Sequence, residues 1–135
     1  MMNADALNAW APQARAVLRI VTALLFLQHG LMKLTGFPME MPGGGEGGLP
    51  PLILIASWME VIGSVLLIVG LFTRPVAFLL SGEMAVAYFM AHAPQSIYPI
   101  VNQGEVAILF CFIFLYLVFA GGGAWSVDRS MRGRA

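Results

Sequence analysis

Four apolar stretches, each close to the length that crosses a bilayer, take up most of this chain and leave little else for it to fold around. They run from about 16 to 34, 52 to 72, 75 to 91 and 103 to 120. A helix needs about 20 apolar residues to cross a hydrocarbon core of about 30 Å. Charge is correspondingly scarce, at 10% of 135 residues against about 25% in soluble domains. The reading is therefore all-α: an integral membrane four-helix bundle, one domain over 1–135, in contact with bilayer lipid. Seven Lys or Arg balance seven Asp or Glu, so no basic surplus drives nucleic-acid binding and that role is set aside.

Glycine and proline punctuate the stretches. Gly36 and Pro38 end the first, Pro50 and Pro51 open the second, Arg74-Pro75 turns into the third, and Gly121-Gly122-Gly123 stops the fourth. The longest connection, Thr35 to Pro50, holds five glycines between Gly43 and Gly48 and reads as a flexible external loop. No strand precedes it and no Lys-Ser/Thr ends it, so it is no phosphate loop. The Ala-x-Ala-like triplet Ala9 to Ala11 precedes the first apolar stretch, which is read as a retained span. Arg15, Arg19, Arg74, Arg129, Arg132 and Arg134 fall at one end of the spans, against Lys33 alone near the other. By the positive-inside rule that arginine end is cytoplasmic, which puts both termini inside.

The polar residues inside the spans are the functional candidates. At about 100° per residue, Arg15, Arg19, Thr22, Phe26, His29 and Lys33 form one stripe that should face protein or water. Ala56, Gly63 and Gly70 make a small-residue seam on the second span, and Glu60 lies on it, about 14 Å deep. A bare carboxylate there must be protonated, paired or hydrated. On the third span Ala77, Ser81 and Ala85 form a second small-residue row continued by Tyr88 and His92. Glu83 projects the other way and should face the bundle or a second subunit. Glu105, Leu109, Phe112 and Tyr116 share a face of the fourth span, with Asn102 at its entrance.

His29, Lys33, Glu60, Glu83, His92 and Glu105 thus gather in the outer half. Ion pairs that fix register, Lys33 with Glu105 and His29 with Glu60, are one reading of this set. A ligand or proton site is the other, since ionisable groups inside a membrane commonly mark such paths. A haem between His29 and His92 is disfavoured because the two are expected at different depths, and no other metal ligand set is present. The lone Cys111 excludes an intramolecular disulfide and reads as a small core residue. No hydrolytic triad, metalloprotease helix or P-loop spacing occurs.

Read together, several short pieces carry a resemblance over nearly the whole chain. They are His29-Gly30-x-x-Lys33, Glu60-x-x-Gly63, Gly70-Leu71-Phe72-Thr73-Arg74, Asn102-Gln103-Gly104-Glu105 and Gly123-Ala124-Trp125-Ser126-Val127-Asp128. In that order and spacing the chain resembles the DoxX family of small four-helix membrane proteins. The resemblance implies a multi-pass protein of the bacterial inner membrane, linked to quinone-dependent oxidation of sulfur compounds or to redox stress. In some members it implies a soluble or second membrane subunit as partner. Gly121-Gly122-Gly123-Ala124 stands where the family has Gly-Pro-Gly followed by Arg or Lys, a departure that removes one cytoplasmic cap contact.

A quinone, the bound cofactor this resemblance suggests, needs an apolar slot with polar groups for its carbonyl oxygens and a proton route. His29 and Glu60 are the candidate donor and acceptor, with Phe26, Trp58 and Phe112 as candidate ring packing and Lys33, Glu83, Asn102 and Glu105 completing the polar set. Ser126 and Asp128 are read as capping the chain's exit at the inner surface. Two further functions compete with a quinone-linked oxidoreductase subunit. One is a non-catalytic anchor that binds a protein partner or a second copy through the Ala77-Ser81-Ala85 row. The other is a small proton-coupled transporter, for which four spans leave little room.

Overall fold

The computed structural model describes residues 3–42 and 47–133, and among these every regular element is helical. The chain forms α1 (Ala4–Thr35), α2 (Pro51–Val69), α3 (Thr73–Ala87), α4 (Pro99–Asn102), α5 (Glu105–Ala120) and α6 (Val127–Arg132), with a π-helical turn over Tyr88–His92 continuing α3. Residues 43–46, in the glycine-rich connection, lie outside the described residues, as does Arg134. Three helices, Ala4–Thr35, Pro51–Val69 and Thr73–His92, are long and apolar enough to cross a membrane, and Glu105–Ala120 is a shorter apolar helix. At 16 residues α5 extends about 24 Å.

Local chemistry sets these limits. Asn3 caps α1, its side chain accepting from the Asp5 amide at 3.1 Å, and Gly36 ends the helix in the left-handed conformation that favours glycine. The helix begins at Ala4, well before the apolar stretch that starts near residue 16, and runs through Pro12. The carbonyl of Pro12 accepts the Ala124 amide at 2.9 Å, so the early turns are held by the segment after α5. Pro51 opens α2 at a position where its missing N–H costs nothing, and Gly70 closes it with φ 73°.

α1 packs along α2 and α3 along α5, while α2 meets α3 and α1 meets α5. The shared core is Phe26, Leu67, Leu80, Phe110, Phe114 and Leu117 around Ala23 and Ala77. Glycines set the closest approaches. A Cβ on Gly30 would lie 2.7 Å from Val61 Cγ2 and 3.0 Å from the Ser57 carbonyl, and one on Gly63 would meet Leu80 Cδ1 at 2.9 Å. Helices can approach this far only where a side chain is missing.

Two faces differ from the sequence reading. Glu105, Leu109, Phe112 and Tyr116 all point outward, and α5 buries Ala107, Phe110, Phe114 and Leu117 instead. That helix is apolar on every side, so its periodicity held no sign of which face turns in. The Ala77-Ser81-Ala85 row is not a free docking strip either: Ala77 and Ser81 are buried, and the Ser81 hydroxyl donates to the Cys111 carbonyl at 2.8 Å, tying α3 to α5.

Candidate functional site

The stripe on α1 faces protein as its spacing predicts. Arg19, Thr22 and Phe26 are buried, and Arg15, His29 and Lys33 are half-buried. Because Gly30 draws α1 onto α2 beside Glu60, with Glu60 Cβ only 3.1 Å from where a Gly30 Cβ would stand, Lys33 one turn further reaches across. Its Nζ lies 2.6 Å from Glu60 Oε1. The expected pairs, Lys33 with Glu105 and His29 with Glu60, are therefore replaced by Lys33 with Glu60. Glu105 stands exposed in the first turn of α5.

Glu60 is 1% exposed, and its second oxygen is buried with no partner among the described residues. Both oxygens of Glu83 are also buried and without a partner among the described residues, so that side chain turns inward. Glu60, on α2, and Lys33, on α1, are the charged groups near enough to influence both Glu83 and His29. The His29 ring stands edge-on to Phe110, centroids 5.7 Å apart, and tilted against Phe26 at 6.3 Å. Four of the candidates, His29, Lys33, Glu60 and Glu83, form one cluster.

Asn102 belongs elsewhere. It is 1% exposed and organises the link between α3 and α5: its Nδ2 donates to the Ser96 carbonyl at 2.8 Å and to the Tyr88 hydroxyl at 3.2 Å, and its Oδ1 accepts the Gly104 amide at 2.8 Å. His92 Nδ1 meets the Asn102 carbonyl at 2.9 Å and its ring stacks on Tyr88. With its hydrogen bonds so engaged, Asn102 holds a connection in shape.

The candidate ring-packing residues are not brought together. Phe26 is sealed in the core against Phe110 and Phe114, at 5.0 and 4.9 Å. Phe112 is 63% exposed and Trp58 53% exposed. Trp58 lines an outward-facing groove of about 430 Å³ between α2 and α3 whose walls, Leu54, Ile62, Leu66, Leu79 and others, are apolar.

The sequence reading missed the part played by Arg19, which it counted among the cations that set orientation. Arg19 is fully buried and donates to five carbonyls. Nε reaches Gly122 at 2.9 Å, Nη1 reaches Leu67 and, at 2.8 Å, Ile68, and Nη2 reaches Trp125 at 2.9 Å and Ala124 at 3.3 Å. The guanidinium thus closes the carboxyl end of α2, where the helix dipole favours a cation, and clamps the loop after α5. The Gly121–Ala124 segment, which lacks the family's proline and cation, is held to α1 through these Gly122 and Ala124 carbonyls. The signal was present in the sequence: an arginine on the protein-facing stripe of an apolar span has to be satisfied internally.

Comparison with known proteins places this architecture. The DoxX family profile matches residues 14–93. The chain belongs to the DoxX family. A Haemophilus influenzae protein, named only "Uncharacterized protein", is 46% identical over 126 residues, 91% of this chain and 94% of its own. The Escherichia coli "Inner membrane protein YphA" is 29% identical over 90% of this chain and 93% of its own. The Bacillus subtilis "Putative oxidoreductase CatD" is 27% identical over 83% of this chain and 82% of its own. No solved structure matches significantly. The family match takes in His29, Lys33, Glu60 and Glu83 and stops short of Asn102 and Glu105.

Proposed function

We propose that this DoxX protein is the membrane-embedded, proton-handling component of an oxidoreductase system in the bacterial inner membrane, with both termini on the cytoplasmic side. The observation that carries the reading is the charge count of the buried groups: of two carboxylates, Glu60 and Glu83, only Glu60 pairs with the one ammonium, Lys33, and three carboxylate oxygens have no partner among the described residues. One added proton makes that cluster neutral, and a neutral cluster is the cheaper one to hold in hydrocarbon. His29 beside it is a second proton carrier. The oxidoreductase named in the Bacillus subtilis relative and the inner membrane named in the Escherichia coli relative support the setting. The arginines gathered at one end support the orientation.

A quinone as the redox partner remains part of the proposal only at the level of its access. The α2–α3 groove has the apolar walls a lipid-soluble cofactor needs, but its lining offers almost no polar surface to a ring carbonyl, and His29, Lys33, Glu60 and Glu83 are not among its lining residues. The residues as arranged do not assemble the ring site that Phe26, Trp58 and Phe112 would form.

The test is proton uptake. The full chain, purified in mild detergent with whatever accompanies it from native membrane, is cycled between reduced and oxidised states while a pH-indicator dye is followed. Uptake that falls about tenfold in Glu83→Gln supports the reading, a loss at the lower end of what positioned acid–base groups contribute. Uptake equal in wild type and variant overturns it.

A further inference from the structure

The polar pocket at the arginine end takes no part in the proposed proton chemistry. It encloses about 260 Å³ and is lined by Arg15, Arg74, Arg129 and Arg132, with Asp128 and the Gly121–Gly123 turn. Four cations against one carboxylate is a large imbalance in a chain with only seven Lys and Arg. Asp128, whose two oxygens accept the Phe72 and Thr73 amides, each at 2.8 Å, offsets one of the four charges and leaves a surplus of positive charge.

Two of the arginines are held rigidly. Arg15 Nη1 donates to the Ala120 carbonyl at 2.6 Å, and Arg74 Nη1 to Val118 and Phe119 at 2.8 and 2.7 Å, so both cap the carboxyl end of α5. Each has further N–H groups, and Arg15 Nε is buried with no partner among the described residues. Gly121 keeps the rim open, since a Cβ there would stand 3.3 Å from Arg74 Nη2. Arg129 and Arg132, exposed on α6, bring two further charges to the same space.

We infer that this pocket is a binding site for a phosphate group, carried either by an anionic phospholipid headgroup or by a free phosphate. Guanidinium groups match phosphate oxygens in geometry and charge, and preset arginines lose little freedom on binding. The volume is below the about 300–1,000 Å³ of drug-sized sites and suits a headgroup-sized anion. Basic pockets between helices at a membrane's inner surface hold anionic headgroups by the same chemistry. The inference rests on the pocket alone and stands whether or not the buried cluster handles protons.

The experiment uses the purified full chain and a double variant, Arg129→Gln with Arg132→Gln, which changes only exposed side chains and leaves the α5 caps intact. Lipid retention is read by native mass spectrometry against phosphatidylglycerol and, as a control, phosphatidylcholine; inorganic phosphate is read by its effect on thermal unfolding. Preferential retention of phosphatidylglycerol that weakens about tenfold or more in the double variant, and recovers with Arg129→Lys and Arg132→Lys, identifies a lipid headgroup. Stabilisation by inorganic phosphate, lost in the Gln variant and regained in the Lys variant, identifies the free anion. Equal retention of the two lipids together with no effect of phosphate, or binding unchanged by the Gln substitutions, overturns the inference.

Discussion

A carboxylate buried as deeply as Glu60 depends on its partner, and the two halves of this ion pair are not equivalent. Lys33 keeps a side chain that is 21% exposed, while Glu60 keeps 1%. Without Glu60 the ammonium can swing toward the interface on its long stem; without Lys33 the carboxylate has nowhere to go. Lys33→Met should therefore destabilise the protein by about 3 kcal/mol, Glu60→Gln by about 1 kcal/mol, and the double Lys33→Met with Glu60→Gln by less than Lys33→Met alone. Unfolding in detergent followed by helical circular dichroism checks the order, and a double variant as costly as the sum of its singles would show that the pair has no private coupling. The sequence made both residues legible as intramembrane ionisable groups but did not pair them. That choice depends on the register between α1 and α2, which is fixed by Gly30 packed on Ser57 and Val61, a contact between segments far apart in the chain.

At the scale of elements, the arginine end is organised by helix termini. Arg19 closes α2, Arg15 and Arg74 close α5, and Asp128 opens α3 by accepting the Phe72 and Thr73 amides. Ser126 caps α6 through the Arg129 amide at 3.3 Å, and the Asp128 amide donates to the Gly70 carbonyl at 3.0 Å. The expectation that Ser126 and Asp128 cap the chain's exit extends in the structure to a second helix. Partial burial alone would raise the Asp128 carboxyl's pKa, but the amides of Thr73 and Phe72 and the charge of Arg132 outweigh it and hold the group below the ordinary aspartate value. A depressed folded-state pKa adds stability that is fully present above the unfolded value of about 3.9 and is lost as pH falls through the folded one. Asp128→Asn should cost about 1 kcal/mol near neutral pH, and the gap to wild type should close as the pH drops below about 4. Thermal unfolding across that range checks it; a constant gap would mean the ionised carboxylate is not what caps α3.

For the whole molecule, what was legible was whatever depends on a bilayer's thickness and on chain-breaking residues. The apolar stretches emerge as helices with ends near Gly36, Pro51, Gly70 and Gly121, because glycine and proline act locally. What escaped was the choice of inner face where no polar residue marks one. Phe112 and Trp58, expected beside a ligand, face outward for that reason. Orientation across the membrane is a further whole-molecule property, and it rests on cations that have here acquired structural duties of their own. If Arg15, Arg19 and Arg74 served only as helix caps, the arginine end would be free to lie on either side. The anionic inner leaflet and the bias of insertion toward retained positive charge favour the cytoplasmic side. Single cysteines on a Cys111→Ala background decide it: Gln95→Cys lies exposed in the link between α3 and α5, and Ser130→Cys lies exposed on α6. In intact cells a membrane-impermeant maleimide should label the Gln95→Cys protein and leave the Ser130→Cys protein unlabelled until the membrane is opened. The reverse pattern would place the phosphate pocket outside and remove the inner leaflet's lipids as its ligand.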